Sequence, residues 1–421
     1  MSSESRGQVA LKGPARHLTG YAIAKVLPGV IGMITVPLWI KTFGQAPYAM
    51  YSIVWVIGNF GGAITIGWLR QAILRFSGDA ERSSDGVSRY AIAASILAGV
   101  IPLAVTVMWV GQQDPNLPWI IVTGVVFSIL NSLYLVQQAH AQSGARVTAY
   151  SSAEIVRAAV ALGASLLAFA LWRLDPVICM IGGYALSTLI ALLVLKRRRP
   201  QTTDATGPTT VVFWRYGWPM SIWLALSLVL VYFDRLWLAP TVSADQLGLY
   251  AATGDLIIRG MGMVAFPLTM YVHPLIMKHW NAGERAEALR LNLRFLVAVA
   301  IITGACVAGL AVVSTWALSL LLDGVAPSPA VFLPLAIGAA LWQIALQAHK
   351  PLEMMNRTGT MTAMLLCVCA LTIGALTVFV PLYQTRAAAT IFACGAALYV
   401  AASIWLGQRA TTRMRRESHA D

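Results

Sequence analysis

The 421-residue chain has few charged residues. Asp, Glu, Lys and Arg together make up 11% of it, whereas an average soluble domain contains about 25%. Hydrophobic residues make up 58% of the chain, and the mean hydropathy is +0.70. This composition excludes a water-soluble protein and indicates a chain that crosses a lipid bilayer many times.

The chain also lacks the residue patterns that catalysis, metal binding or disulfide bonding need. Its five cysteines lie in or beside apolar stretches, where cysteine behaves as a small hydrophobic residue, and their odd number argues against a disulfide framework. The six histidines are scattered, and the chain has no zinc spacing, phosphate-binding glycine loop or nucleophile elbow. We therefore expect neither an enzyme nor a metal protein.

About twelve apolar stretches are long enough to cross a membrane as helices, which takes about 20 residues each. They lack the alternating apolar and polar residues of barrel strands, and a helix in lipid satisfies its own backbone hydrogen bonds. The sequence therefore predicts an all-α integral membrane protein. The predicted spans are 18–40, 48–69, 90–110, 118–140, 150–171, 177–195, 212–238, 248–276, 292–321, 329–348, 359–381 and 387–407.

Lysine and arginine are distributed unevenly over the connections between these spans. Most of the 30 lie on one side of the membrane, and the other side has only Lys41, Arg173, Arg235 and Arg386. Because basic connections stay in the cytoplasm, we predict a multi-pass membrane protein with both termini cytoplasmic. The net charge of +13 is spread over several such segments, which favours contact with anionic membrane lipid and not with nucleic acid.

The chain divides into two similar halves. We predict an N-terminal six-helix lobe (1–195), a polar cytoplasmic linker (196–211) and a C-terminal six-helix lobe (212–421). A shift of about 199 positions brings Arg215 onto Arg16 and Tyr250 onto Tyr51. Two parallel repeats around a central cavity are typical of transporters that open alternately to the two sides of the membrane.

Four segments carry a resemblance to a known family. They are Gly44-Gln45-Ala46-Pro47-Tyr48-Ala49-Met50-Tyr51, Ser243-Ala244-Asp245-Gln246-Leu247-Gly248-Leu249-Tyr250, Gly67-Trp68-Leu69-Arg70-Gln71-Ala72-Ile73-Leu74-Arg75-Phe76 and Tyr232-Phe233-Asp234-Arg235-Leu236-Trp237-Leu238. With them, nearly the whole chain resembles the polysaccharide-exporter (Wzx-like) branch of the multidrug/oligosaccharidyl-lipid/polysaccharide (MOP) superfamily. The resemblance implies the MOP-type fold, with about 12 transmembrane helices in two pseudo-symmetric six-helix lobes around a central cavity.

The resemblance also implies a flippase of the bacterial cytoplasmic (inner) membrane. Its substrate would be an oligosaccharide linked to undecaprenyl pyrophosphate, moved from the cytoplasmic to the periplasmic leaflet for O-antigen (lipopolysaccharide) or exopolysaccharide biosynthesis. We expect a monomer, with a polymerase or chain-length regulator of the same pathway as a candidate partner. Two alternatives are a cation-coupled multidrug or metabolite exporter of the same superfamily and a membrane lipid-linked sugar transferase. The short outer connections argue against the transferase.

Charged residues inside spans are costly in lipid and are therefore candidate functional residues. Lys25 lies about 10 Å into the first helix, at 1.5 Å per residue, and either snorkels to the interface or attracts the pyrophosphate. Arg259 with Asp255, and Arg157 with Glu154, lie on shared helix faces. Each pair either neutralises itself between helices or faces the cavity. Asp255 and Glu154 are also candidates for ion coupling, through a proton or a sodium ion, and no other cofactor is expected.

Further candidates lie near the cytoplasmic entrance and in the second helix. Arginine matches phosphate oxygens with two parallel hydrogen bonds, so four arginines are candidates for a basic vestibule, although the positive-inside rule also explains them. Asn59, in a glycine-rich stretch, is a candidate for hydrogen bonding to sugars, and Asp234 with Arg235 is expected to anchor the seventh helix at the outer interface. The vestibule arginines are Arg16, Arg70, Arg75 and Arg215.

Overall fold

A computed structural model of the protein describes residues 26–75, 91–99, 115–143, 146–195, 210–325 and 327–417. The regular secondary structure of these ranges is helical, without strands. Twelve helical segments follow one another in these ranges in the order that the apolar stretches predict, and of the third predicted span only 91–99 is described. They are α1 (Val26–Phe43), α2 (Gln45–Arg75), α3 (91–99), α4 (Leu117–Ser143), α5 (Val147–Trp172), α6 (Pro176–Leu195), α7 (Thr210–Tyr232), α8 (Ala244–Asn281), α9 (Arg285–Leu321), α10 (Pro329–Ala348), α11 (358–383) and α12 (385–417).

The last two helices form one nearly continuous run, Thr358–Glu417, which is broken only at Gln384. This residue has a left-handed backbone (φ 51°, ψ −130°), and it lies within the connection that the sequence predicts between the last two spans. In the described ranges, nine helical segments are long and apolar enough to cross a membrane, and the longest of them contains both α11 and α12. Two short helices, Asp234–Leu238 and Lys350–Met354, follow α7 and α10.

Local sequence explains where several helices begin and end. Gly44 has a φ of 91°, a left-handed conformation that glycine adopts without strain, and it separates α1 from α2. At the start of α8, the Ser243 side chain accepts a hydrogen bond from the Gln246 N–H and the Gln246 side chain caps Ser243 in return, which is a capping box. Ser328 caps α10, whose first residue is Pro329, the position that proline favours in helices.

Helices from the same half of the chain contact one another extensively. In the first half α2, α4, α5 and α6 pack together, and in the second half α10 packs against α8, α9 and the α11–α12 run. The main contacts between the halves are made by α2, which packs against α7 and α8. We call the helix ends that the basic residues assign to the cytoplasm the inner ends, and the opposite ends the outer ends.

The two halves approach most closely at two glycines. A Cβ atom on Gly248 would lie 1.9 Å from the Gln45 carbonyl oxygen, and a Cβ atom on Gly217 would lie 2.1 Å from the Trp68 carbonyl oxygen. Both distances are far below van der Waals contact. Glycine is therefore needed at Gly248 for α8 to touch the outer end of α2, and at Gly217 for α7 to touch its inner part.

Contacts near the outer end of α2 also reflect the internal repeat. The Ala46 N–H donates a hydrogen bond to the Asp245 Oδ1 atom at 3.1 Å, and these positions are 199 residues apart, which is the shift that aligns the two halves. The contact therefore joins two positions that the sequence comparison predicts to be equivalent.

Candidate functional site

A small cavity lies between the two halves of the chain and contains two of the intramembrane arginines. Its volume is about 100 Å³. Arg157 comes from α5 in the first half, and Arg259 comes from α8 in the second half. We call it the cationic cavity; its lining residues are Pro28, Gly32, Thr35, Glu154, Arg157, Ala158, Tyr184 and Arg259.

Helix α1 forms the wall between the two arginines. Pro28, Gly32 and Thr35 follow one another at spacings of four and three residues, so they share one face of α1. The Arg259 Nη1 atom donates a hydrogen bond to the Gly32 carbonyl oxygen at 3.2 Å, and a Cβ atom on Gly32 would lie 2.8 Å from the same nitrogen. Gly32 therefore lets the guanidinium group lie directly against the backbone of α1.

Asp255 does not neutralise Arg259 in the way that their spacing suggests. The Asp255 carboxylate accepts a hydrogen bond from the Arg235 Nη2 atom at 2.5 Å and another from the Tyr48 hydroxyl group at 2.6 Å. Both oxygens of the carboxylate are thus engaged by other side chains. The ion pair of Asp255 is made with Arg235, and Arg259 contributes its charge to the cationic cavity.

The expectation that Asp234 and Arg235 anchor the protein at the outer interface is wrong. Both residues are buried, with 6% and 3% of their surfaces exposed. The chain turns after α7 into the short helix Asp234–Leu238, and this helix packs into the protein interior beside α8. Asp234 accepts a hydrogen bond from the buried Tyr250 hydroxyl group, and Arg235 pairs with Asp255. Both therefore serve a polar network inside the protein.

Arg157 begins a chain of hydrogen bonds that leads to Asn59. The Arg157 Nη1 atom donates to the Asn131 Oδ1 atom at 2.9 Å, and the Asn131 Nδ2 atom donates to the Asn59 Oδ1 atom at 3.2 Å. The guanidinium carbon of Arg157 also lies 4.7 Å from the centre of the Tyr134 ring, a cation–π contact. The orientation of Arg157 is therefore fixed by helices α2 and α4.

Glu154 also lies on the wall of the cationic cavity. One of its carboxylate oxygens accepts hydrogen bonds from the Tyr134 hydroxyl group and from the Gln138 amide, both at 2.5 Å. Residues of α4 thus hold this carboxylate as well as Arg157. With two arginines and one glutamate on its wall, the cavity carries a formal charge of +1.

Asn59 and Arg70 line a second cavity of about 180 Å³ between α2, α4 and α7. Leu135, Leu224 and Ser227 form much of the opposite wall. The Arg70 Nε atom is buried, and within the described part of the chain it has no hydrogen-bond partner. Since Asn59 is bonded through Asn131 to Arg157, this cavity and the cationic cavity share one polar network.

Of the remaining predicted site residues, the structure describes only Arg75 and Arg215. Arg215 is exposed on the first turns of α7, and Arg75 is the last residue of α2. Arg16 and Lys25 lie outside the described residues. The basic vestibule therefore stays a prediction, to which the structure contributes only the position of Arg70.

Among the described residues, no three or more His, Cys, Asp or Glu side chains are grouped to hold a metal ion. The cationic cavity offers a pair of guanidinium groups that can donate several hydrogen bonds to an anion. The polar network beside it adds hydroxyl and amide groups that suit sugars.

Sequence reasoning missed Tyr48, Asn131 and Arg235 as members of the polar network around the cationic cavity. Only Arg235 had a recognisable signal, because an arginine on the sparsely basic outer side needs a partner.

Comparisons with known proteins agree on the fold. No protein-family model matches the chain, and no curated protein matches it in sequence. The fold is similar to that of the lipid II flippase MurJ in an inward closed conformation, with a TM-score of 0.70 and 13% identity over 92% of this chain and 87% of that one.

The fold is also similar to that of multidrug transporters of the MATE family. An outward-facing MATE transporter of the MOP superfamily gives a TM-score of 0.66 and 10% identity over 96% of this chain and 97% of that one. A Vibrio cholerae MATE transporter gives 0.59 and 13% over 94% and 98%. The described part of the chain is thus a helical membrane protein with the fold that the MurJ flippase and the MATE transporters share.

Proposed function

We propose that the protein is a flippase that moves a lipid-linked oligosaccharide, carried on undecaprenyl pyrophosphate, from the cytoplasmic to the periplasmic leaflet by alternating access. The glycan would serve O-antigen or exopolysaccharide biosynthesis. The similarity to MurJ supports this proposal, since MurJ is a flippase for a lipid-linked substrate. The protein would act as a monomer in the inner membrane.

One observation carries the proposal: arginines from opposite halves of the chain line the same cavity. Arg157 and Arg259 both reach it, and the carboxylate nearest to Arg259 along its own helix is bound to Arg235 and Tyr48. The cavity wall carries a formal charge of +1 with Glu154 included, and an anionic ligand would balance that buried charge. A diphosphate fits because it presents several oxygens to two guanidinium groups at once.

The polar network around the arginines suits the sugar part of such a substrate. Asn59 and Asn131 lie within two hydrogen bonds of Arg157, and the second cavity next to them contains Arg70 and Ser227. Amide and hydroxyl groups both donate and accept hydrogen bonds, as sugar hydroxyls do. The glycan would therefore extend from the diphosphate towards α2 and α7.

A cation-coupled multidrug or metabolite exporter is the second candidate. The MATE transporters have similar folds, and Glu154 on the cavity wall is a carboxylate that a proton or sodium ion would bind. In this alternative Glu154 would bind the coupling ion, and Arg157 and Arg259 would serve structural roles. The two candidates differ in the charge of the ligand that the cavity binds, which is negative for the lipid-linked glycan and positive for the coupling ion.

A gene deletion separates these candidates from each other and from a sugar transferase. If the protein is a flippase, deletion is expected to make lipid-linked glycan accumulate on the inner leaflet, because synthesis continues while translocation stops. The leaflet is assayed by the accessibility of the glycan to an added glycosidase in right-side-out and inverted vesicles. Increased drug sensitivity without accumulation would instead indicate an exporter, and loss of glycan extension would indicate a transferase.

A further inference from the structure

A membrane-facing groove runs between α1, α8 and α9, next to the cationic cavity. Its volume is about 350 Å³, and its wall is almost entirely apolar. Met33 contributes from α1, Gly260 and Met261 from α8, and Cys306, Gly309 and Leu321 from α9. We call it the apolar groove.

The apolar groove and the cationic cavity are separated by only one layer of backbone. Gly32 lines the cavity and Met33 the groove, and likewise Arg259 lines the cavity and Gly260 the groove. Consecutive helix residues point about 100° apart, at 3.6 residues per turn, so the two spaces lie on adjacent faces of the same two helices. A molecule with an anionic end and an apolar end would find both environments side by side.

At its outer end the apolar groove meets an open cavity of about 400 Å³ that contains Lys41. Leu321 lines both spaces, while Trp316 and Asp323 belong to the open cavity. Trp316 is largely exposed, as tryptophans at a membrane interface commonly are. We call this space the outer cavity.

One stripe of α1 connects the two spaces. Met33 lines the groove, and Pro37 and Lys41 line the outer cavity. Residues four apart share a helix face, so this stripe rises about 12 Å from the groove to the Lys41 side chain, at 1.5 Å per residue. The groove itself follows α9 from Cys306 to Leu321, about 22 Å by the same measure, compared with about 30 Å for a whole hydrocarbon core.

We propose that the apolar groove and the outer cavity form a binding site for the translocated lipid in the outer leaflet. The site would hold the phosphate of a polyprenyl lipid at the Lys41 ammonium group and the adjoining part of its chain in the groove. This inference rests on the proposed flippase function and adds a place where the product stays before release. The cationic cavity holds the headgroup during translocation, and Lys41 receives it afterwards.

The position of the site favours a polyprenyl phosphate over an ordinary phospholipid. The groove holds only the part of the chain nearest the phosphate, because a polyprenyl chain is longer than the groove, and the rest of the chain extends into the bilayer. Asp323 lies on the same outer cavity as Lys41 and partly offsets its charge, so the phosphate must lie on the Lys41 side of the cavity. The groove lies directly beside the cationic cavity, where Arg157 and Arg259 would hold the anionic headgroup during translocation. The lipid that reaches the groove from this cavity would therefore be anionic.

The test measures lipid adducts of the purified full-length protein by native mass spectrometry. Undecaprenyl phosphate and dioleoyl phosphatidylglycerol are offered in separate arms, since both are anionic lipids. Gly309→Phe fills the groove, and nothing lies within 4 Å of a Cβ atom at Gly309. Gly304→Phe is the matched control, because Gly304 is on the same helix, has equally open space and does not line the groove.

We expect Gly309→Phe and Lys41→Ala each to lower undecaprenyl phosphate binding about tenfold or more, which corresponds to about 1.4 kcal/mol. Gly304→Phe and Arg386→Ala, a basic residue at the outer end of α12, are expected to bind like the wild type. If Gly309→Phe does not fold, Ala317→Phe fills the same groove and replaces it.

Unchanged binding of undecaprenyl phosphate in Gly309→Phe or Ala317→Phe would overturn the proposed site. Equal loss of phosphatidylglycerol in the same variants would also overturn it, because the groove would then hold ordinary membrane lipid. Failure of the flippase proposal would look different: lipid-linked glycan would not accumulate in the deletion strain, whatever the groove variants bind.

Discussion

Replacement of Arg259 with alanine is expected to reduce surface glycan about tenfold or more while the protein level stays the same. A charge-assisted hydrogen bond to a phosphate group contributes about 1.5–3 kcal/mol, and 1.4 kcal/mol corresponds to a tenfold change. Arg259 lines the cationic cavity and is bonded there only to the Gly32 carbonyl oxygen among the described residues. Surface glycan is measured in the deletion strain that carries each variant, with membrane protein quantified in parallel.

Two further variants make this result specific. Arg259→Lys keeps the charge and loses the planar fork of the guanidinium group, so intermediate activity is expected. Arg290→Ala is the matched control, because Arg290 is an exposed arginine on α9 that contacts only Glu287 at 3.6 Å. Full surface glycan in Arg259→Ala would remove Arg259 from the site. The sequence makes the same prediction for alanine at Lys25, which lies outside the described residues.

Replacement of Arg235 with leucine is expected to destabilise the protein by about 3–5 kcal/mol, the usual cost of leaving one charge of a buried ion pair without its partner. Arg235 and Asp255 are both buried and lie 2.5 Å apart, with side chains that are 3% and 7% exposed. Leucine is similar in bulk to the apolar stem of arginine and cannot donate to the carboxylate. Unfolding in mixed micelles, followed by the change in helical signal, measures the difference.

The double variant Arg235→Leu with Asp255→Leu tests the reason for this loss. It removes both charges of the pair, so we expect it to recover part of the stability that the single variant loses. The buried Asp234, whose charge Arg235 also offsets, stays in place. Glu287→Ala breaks the exposed Arg290–Glu287 pair and is expected to cost less than about 1 kcal/mol. A single variant that is as stable as the wild type, or a double variant that is no more stable than the single one, would contradict the buried pair.

Much of the fold could be predicted because lipid allows few alternatives. The span predicted at 329–348 coincides with α10, Pro329–Ala348, and the break between the last two predicted spans contains Gln384. Inside a bilayer each long apolar stretch must form a helix, so composition and length determine the element. The seventh span is the exception, because the chain turns after Tyr232 and the next five residues form a separate short helix.

Contacts between helices were much harder to predict. The spacing of Asp255 and Arg259 places both on one face of α8, and this correctly suggested that Asp255 pairs with an arginine. The arginine expected from the spacing was Arg259, and Arg235 was not identified, because the short helix after α7 positions Arg235 and α2 positions Tyr48. Spacing within one helix contains no information about which residues of other helices occupy the same place.

The same limit applies to Arg157. The sequence offered Glu154, three residues away, as its local partner. The structure has both residues on the wall of one cavity and adds a hydrogen bond from Arg157 to Asn131 on α4. Nothing in the sequence of α4 distinguishes Asn131 from the other polar residues of that helix. Arg157 and Arg259 line one cavity together with residues of α1. Only the packing of the helices shows this, and the sequence does not.

The preference of the purified protein for anions or cations tests the central claim most directly. Binding of a fluorescent polyprenyl diphosphate and of tetraphenylphosphonium is measured for the wild type, for Arg157→Ala with Arg259→Ala, and for Arg290→Ala. We predict that the wild type and Arg290→Ala bind the diphosphate and not the phosphonium, and that the double variant binds the diphosphate about a hundredfold more weakly. The central claim would be contradicted if the protein bound the phosphonium in a way that depends on Glu154 and did not bind the diphosphate.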